Sequence, residues 1–165
     1  RDAEGSMTAT GHARHVLFVC RGNICRSPMA MALARHRLTQ ARLDGRVEID
    51  SAGYYDWGPF PREAHAFARR AVEQLCGSDL LAEHLAKRWT TSMVEQHACV
   101  IVAEDWMRAD FPAGRTVTLR GLGSEKGDVD DPYGGDFDTF LDCAREMDRL
   151  ISSGWQRLVE DRIRA

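Results

Sequence analysis

The sequence predicts an α/β domain in three layers, a parallel sheet of four strands with helices on both faces. Two observations predict it. Short β-branched apolar runs alternate with stretches whose apolar residues recur at helical spacing. The first of those runs also ends in a loop built to hold an anion, at the carboxyl end of a strand, where open parallel sheets place their ligands. With 165 residues, 44% of them hydrophobic, the chain can build one core of its own.

The elements follow in order. His15–Val19 is the first strand. Met, Leu and Ala repeat at helical spacing from Ser27 to about Ala41. Ser27 is a preferred cap there, and Pro28 suits the first helical position. Val47–Asp50 is the second strand. A second helix opens at Pro61 and runs to Leu75, with Cys76-Gly77 as its stop. A short helix capped by Thr90 or Thr91 reaches about His97 and leads into the third strand, Ala98–Val102. Another short helix spans Glu104 to about Ala109, and Thr116–Leu119 is the fourth strand. The last helix runs from Phe137 to about Arg162 with Phe140, Leu141, Ala144, Met147, Leu150 and Ile151 on one stripe, and Gly154 is placed to bend it. Residues 1–14 read as a tag remnant without fixed structure, Gly5-Ser6-Met7 being the scar, and 15–165 as the domain.

Composition narrows the function. A net charge of −3 and a pI near 6.1 argue against a nucleic-acid partner. No apolar run approaches the roughly 20 residues of a membrane span. Five scattered cysteines, an odd number, fit a reducing cytoplasm better than a disulfide framework. Cys20 and Cys25 have no second pair at finger spacing, so no metal is expected. Cys76, Cys99 and Cys143 read as packing residues, as do Trp89, Trp106 and Trp155.

The chemistry lies in Val16-Leu17-Phe18-Val19-Cys20-Arg21-Gly22-Asn23-Ile24-Cys25-Arg26-Ser27-Pro28. Covalent attack on phosphate needs an ionised nucleophile. The positive end of a helix and a fixed arginine beside Cys20 both favour a thiolate. Between Cys20 and Arg26 the backbone must curl so that its N–H groups converge as an anion nest. Gly22 and Asn23 are the residue types that reach positive φ most readily. Arg26 can grip two phosphate oxygens with its planar fork. Ser27 can donate a hydrogen bond to the Cys20 sulfur.

These residues resemble the low-molecular-weight protein tyrosine phosphatase family, whose pattern Val-Cys-x-Gly-Asn-x-Cys-Arg-Ser-Pro is matched at every fixed position. Ser51-Ala52-Gly53 and Asp131-Pro132-Tyr133 match two further family motifs in the right order. The resemblance implies a flavodoxin-like sheet in the order 2-1-3-4 and hydrolysis of phosphotyrosine, or a related aryl phosphomonoester, through a cysteinyl phosphate without metal or cofactor. It makes Cys20 the nucleophile, Arg26 the phosphate-binding arginine and Asp131 the general acid. Cys20, Arg21, Gly22, Asn23, Ile24, Cys25, Arg26 and Ser27 become the phosphate loop, with Asn23 holding its shape and Ser27 bonding the thiolate. Cys25 would be a redox partner of Cys20, His84 a support behind the loop, and Trp57 and Tyr133 the pocket walls. The partners implied are a phosphotyrosine protein or a small phosphomonoester, with inorganic phosphate as product, acted on by a monomer or weak homodimer.

Asp131 also follows from chemistry. A phenolate leaving group, with a pKa of about 10, departs more easily when protonated. Pro132 biases Asp131 toward an extended backbone, which suits a carboxylate reaching over a pocket. A calcium loop opening at Asp128 and Asp130 fails because Pro132 sits where the third ligand belongs.

The chain departs from the family along Tyr54–Ala64, at Glu104-Asp105 where Met-Asp is usual, and at Tyr133-Gly134-Gly135 where the aromatic run is cut short. Alternatives differ in substrate or class. Related phosphoarginine phosphatases usually carry Thr where Ile24 stands, so Ile24 points to tyrosine; a small phosphomonoester fits the unusual 54–63 segment. Arsenate reductases share the loop but need a further cysteine pair, and a binding module would not need Cys20, Arg26 and Asp131 together.

Overall fold

A computed structural model of the chain describes residues 14–59, 62–97 and 99–160. Four parallel strands, β1 (Arg14–Cys20), β2 (Val47–Gly53), β3 (Cys99–Val102) and β4 (Thr116–Thr118), form one sheet in the order β2-β1-β3-β4. The register sets Phe18 opposite Ser51 and Ile101, and Cys20 opposite Gly53. β1 therefore has neighbours on both sides, and the connections from β1 and β3 leave in opposite directions, opening a crevice at their carboxyl ends. This is the expected architecture, with the expected strand order.

Alternation along β1 decides what each face covers. Val16 and Phe18 point to the larger side, where α1 (Arg26–Gln40), α2 (Ala66–Cys76) and α5 (Phe137–Ser153) pack. Leu17 and Val19 point to the smaller side and meet Val94 of α3 (Thr91–Gln96) and Met107 and Phe111 around the 3-10 turn Asp105–Asp110. All four β1 residues are buried, as a central parallel strand requires. α5 realises its predicted stripe, and Asp136 caps it by accepting from the Thr139 backbone N–H at 2.9 Å. Among the described residues no helix is long and apolar enough to cross a membrane.

Several boundaries differ from expectation, each for a tertiary reason. Arg14 is already in β1, opposite Val47; residues 1–13 of the expected remnant lie outside the described residues, as do Pro61 and Ala98. α2 begins at Ala66, because Arg62–Ala64 pairs instead with the 85–86 segment: Glu63 bridges Leu85, and Ala86 N–H donates to the Arg62 carbonyl at 2.8 Å. His65 caps α2, its Nδ1 accepting from Phe67 N–H at 3.0 Å. Leu119 opens the short helix α4 (Leu119–Leu122) rather than closing β4. The long last helix breaks into α5 and α6 (Trp155–Val159) at Gly154, where the bend was expected, and a Cβ there would lie 2.3 Å from the Leu122 carbonyl oxygen, so only glycine fits. Arg162 lies outside the described residues.

Candidate active site

The Cys20–Arg26 segment leaves β1 and enters α1 within five residues, so most of its carbonyls fall outside both the sheet and the helix. Each finds a partner facing away from the loop. Cys20 O accepts from Tyr54 N–H at 2.7 Å, and Arg21 O from Tyr55 N–H at 2.9 Å. Gly22 O accepts from Trp57 Nε1 at 2.5 Å, Asn23 O from His84 Nε2 at 2.8 Å, and Ile24 O from His65 N–H at 2.9 Å. Cys25 O takes the first bond of α1, from Met29 N–H at 3.2 Å. With six consecutive carbonyls drawn outward, the peptide N–H groups turn toward the loop's centre, which is the geometry of an anion nest.

Asn23 locks that shape. It is fully buried at φ 61°, the left-handed conformation Asn tolerates. Its Nδ2 donates to Ser27 Oγ (2.8 Å) and Ser51 Oγ (2.9 Å), and its Oδ1 accepts from Lys87 N–H (3.0 Å). Gly22 has a different task from the one expected. It does not take positive φ; a Cβ on it would lie 2.4 Å from the Trp57 ring, so it is small to let that ring close over the loop. Gly22→Ala is therefore expected to push Trp57 off the pocket and lower kcat/KM on an aryl phosphate roughly ten-fold, the scale of one lost apolar contact. The folded state should melt nearly unchanged because Trp57 is exposed; steady-state kinetics beside a thermal melt checks both.

Ser27 also corrects an expectation. α1 begins at Arg26 with Cys25 as its cap residue, and no side chain caps it. The Ser27 hydroxyl is spent inside the loop, 3.0 Å from Cys20 Sγ. The same sulfur receives Asn23 N–H at 3.3 Å. Pro28, in the first turn of α1, lacks an N–H that would have no helical partner in any case.

Arg26 is the largest fully buried side chain, 1% exposed. Nη1 donates to Val129 O at 2.6 Å and Nη2 to Glu104 Oε2 at 2.7 Å. Burial opposes its charge, yet the Cys20 sulfur and the Glu104 and Asp131 carboxylates outweigh burial and raise its pKa. Glu104 is the residue sequence reasoning missed; its only signal was a departure from pattern after β3. Besides Arg26 it accepts two bonds from Arg21 (2.8 and 2.9 Å) and one from Trp106 Nε1 (2.7 Å). The Arg21 bonds, against the cost of burial, bring its pKa down to about 2.

A folded-state carboxylate with a depressed pKa stabilises the fold above its unfolded value, and that contribution is lost as pH falls through the folded one. For Glu104 the window runs from 4.5 down to about 2. Glu104→Gln is expected to cost on the order of 3 kcal/mol at pH 7, since it removes the carboxylate nearest buried Arg26. The gap to the wild type should narrow at pH 3, as read by urea unfolding at both pH values.

Val129, fully buried, ties the 128–135 loop to the sheet through its N–H to Ala103 O at 3.2 Å and its carbonyl to Arg26. Asp131 then projects over the pocket. Its Oδ1 accepts from Tyr133 N–H at 3.1 Å, and its Oδ2 stands 3.5 Å from Arg26 Nη2. The neighbouring acids have other uses: Asp128 accepts from Asp105 N–H at 2.8 Å, and Asp136 caps α5. Burial pushes the Cys25 thiol far up and the Cys143 thiol up to about 12.

Cys20, Arg21, Gly22, Ile24, Cys25, Arg26, Trp57, Asp131 and Tyr133 line one pocket of about 440 Å³, together with Tyr55 and Asp56. Asn23 and Ser27 stand behind it, and His84 braces the loop from outside through Asn23 O. Tyr55 and Asp56, which the sequence did not single out, fall in the atypical segment after β2. Trp106, expected to be a packing residue, is exposed at the rim. Among the described residues no three His, Cys, Asp or Glu side chains gather to hold a metal ion. The arrangement presents a sulfur, convergent N–H donors, a buried guanidinium and an overhanging carboxylate to one small volume, with aromatic walls above.

The profile of the low molecular weight phosphotyrosine protein phosphatase family matches residues 15–163. A low molecular weight phosphotyrosine protein phosphatase of Schizosaccharomyces pombe is 33% identical over 78% of this chain and 86% of its own. A protein-arginine-phosphatase of Geobacillus stearothermophilus is 34% identical over 82% of this chain and 90% of its own. Among solved structures, a low molecular weight protein tyrosine phosphatase from T. tengcongensis superposes with a TM-score of 0.79 at 28% identity, covering 88% of this chain and all of that one.

Proposed function

The chain belongs to the low molecular weight phosphotyrosine protein phosphatase family, and on that premise we propose that it hydrolyses phosphotyrosine, or a related aryl phosphomonoester, through a covalent phosphate on Cys20. The observation that carries this reading is the position of Cys20 Sγ, bonded to Ser27 Oγ and Asn23 N–H at the centre of a loop whose carbonyls all turn away.

The thiolate of Cys20 attacks phosphorus while the loop N–H groups and Arg26 hold the equatorial oxygens and stabilise their charge. As the S–P bond forms, the bond from phosphorus to the phenolic oxygen breaks. Asp131 gives that oxygen its proton. The resulting carboxylate takes a proton from water, whose oxygen attacks phosphorus. The S–P bond breaks, inorganic phosphate leaves, and the thiolate is restored with the Ser27 hydroxyl stabilising it. Every step uses groups of this chain and water, and none calls for a metal. Trp57, Tyr55 and Tyr133 supply the apolar walls an aryl ring fits.

Phosphoarginine is the second reading, favoured by the 34% identical relative named for it. Ile24, buried and lining the pocket, gives that side only aliphatic surface, which suits the aryl group better. We also assign Cys25 as the reversible disulfide partner of Cys20. The odd, scattered cysteines support a cytoplasmic setting.

Phosphate release from p-nitrophenyl phosphate in EDTA tests the class, and the ratio of turnover on phosphotyrosine and phosphoarginine peptides tests the substrate. Full activity with chelator and a ratio favouring phosphotyrosine are expected. Absence of turnover by the reduced protein would overturn the phosphatase reading and turn attention to arsenate reduction or phosphate binding.

A further inference from the structure

Resting on that reading, we propose that Trp106 and Tyr55 form a second subsite beside the pocket, which takes an apolar side chain flanking the phosphotyrosine of a polypeptide substrate. Trp106 is 41% exposed, yet it is fixed from behind. Its Nε1 donates to Glu104 Oε1 at 2.7 Å. Tyr54 packs edge-on against it with ring centroids 4.8 Å apart, and Tyr54 is itself tied to Asp110 by a hydrogen bond. The Arg21 guanidinium lies 6.0 Å from the ring centroid. A large aromatic ring already held in place loses little freedom when a ligand covers it, so burying its open face is favourable.

Tyr55 makes this ledge continuous with the pocket. It is 53% exposed, lines the pocket, and sits tilted against Trp106 at 6.1 Å. Topology accounts for the juxtaposition: Tyr55 follows β2, Trp106 follows β3, and the phosphate loop follows β1 between them. A residue flanking a phosphotyrosine held in the pocket can therefore reach this ledge.

The surrounding charges select an apolar occupant. Arg21 is engaged by both oxygens of Glu104 and so offers an acidic residue little. Asp56 and Asp131 in the pocket lining would repel one. Asp105 is paired with Arg108 at 3.0 Å and Asp110 bonds Tyr54, so the carboxylates of the 3-10 turn that carries Trp106 are already engaged. What the ledge presents is flat aromatic area.

The test measures kcat/KM on phosphotyrosine peptides carrying Leu or Phe, Asp, Lys, or Gly at each flanking position, with p-nitrophenyl phosphate alongside. The wild type should prefer Leu or Phe over Gly about ten-fold, the scale of one well-placed aromatic contact. In Trp106→Ala that ratio should fall to about one, and in Trp106→Phe, which keeps a ring but loses the bond to Glu104, it should persist. An unchanged ratio in Trp106→Ala overturns the proposal. So does a wild-type preference for Asp or Lys, and so does an equal loss on every substrate, which would mean that Trp106 acts only through Glu104. A wild type inactive on p-nitrophenyl phosphate would instead sink the phosphatase reading on which the subsite rests.

Discussion

Cys20→Ser is expected to lower turnover of any aryl phosphate to background, a loss on the order of 10⁵-fold. The substitution changes one atom and leaves the hydrogen-bonding sites in place. A serine oxygen can still meet Ser27 Oγ and the Asn23 N–H that now bond the sulfur at 3.0 and 3.3 Å. The loop's shape rests on Asn23 and on its outward carbonyls, not on the sulfur. Binding of inorganic phosphate, read by competition or calorimetry, should therefore survive. Chemistry should not, because an alcohol is un-ionised near neutral pH and its alkoxide is a poor leaving group from phosphorus. Retention of more than about 1% of wild-type turnover would remove Cys20 from the nucleophile's role, since covalent catalysis without its nucleophile keeps far less.

The second large effect is expected at Asp131→Asn. Loss of a positioned proton donor costs on the order of 10²–10⁴-fold when the leaving group needs the proton. Phosphotyrosine, whose phenolate is basic, should fall through most of that range. A dinitrophenyl phosphate, whose phenolate leaves unaided, should fall far less in kcat/KM, which excludes the later hydrolysis of the cysteinyl phosphate. Plotting log kcat/KM, which reads only the steps up to loss of the phenolate, against leaving-group pKa for both proteins isolates the role: the variant's line should be steeper. Equal slopes would show that Asp131 acts only by charge on Arg26 Nη2, 3.5 Å away. Stability should change little, because the Asp131 side chain is 37% exposed and asparagine can keep the turn bond to Tyr133 N–H.

Where the chain's own neighbours set the geometry, the sequence was a sound guide. The strand before Cys20, the Asn23 turn and the α1 entry lie within a dozen residues, so their spacing alone fixes which groups converge. Asp131, Trp57 and Tyr133 were legible only because short motifs marked them; nothing local shows that they close over Cys20. The misreadings share a cause. Pro61 suggested a helix start, but Arg62–Ala64 is held by the 85–86 segment. Ser27 read as a cap, but its hydroxyl is claimed by Cys20 and Asn23. Gly22 read as a positive-φ turn residue, but its smallness serves Trp57, 35 positions on.

The sequence by itself determined the strand–helix alternation, the Cys20–Arg26 loop and the class of chemistry, because these depend on periodicity and on residues a few positions apart. Tertiary structure alone decided that Glu104 holds Arg21, Arg26 and Trp106 together, and that Tyr55 and Trp106 meet beside the pocket. The physical reason is that parallel strands bring the loops after β1, β2 and β3 side by side, although 83 residues separate Arg21 from Glu104. Charge pairing and aromatic contact act through space, so they appear only once the sheet has set that distance.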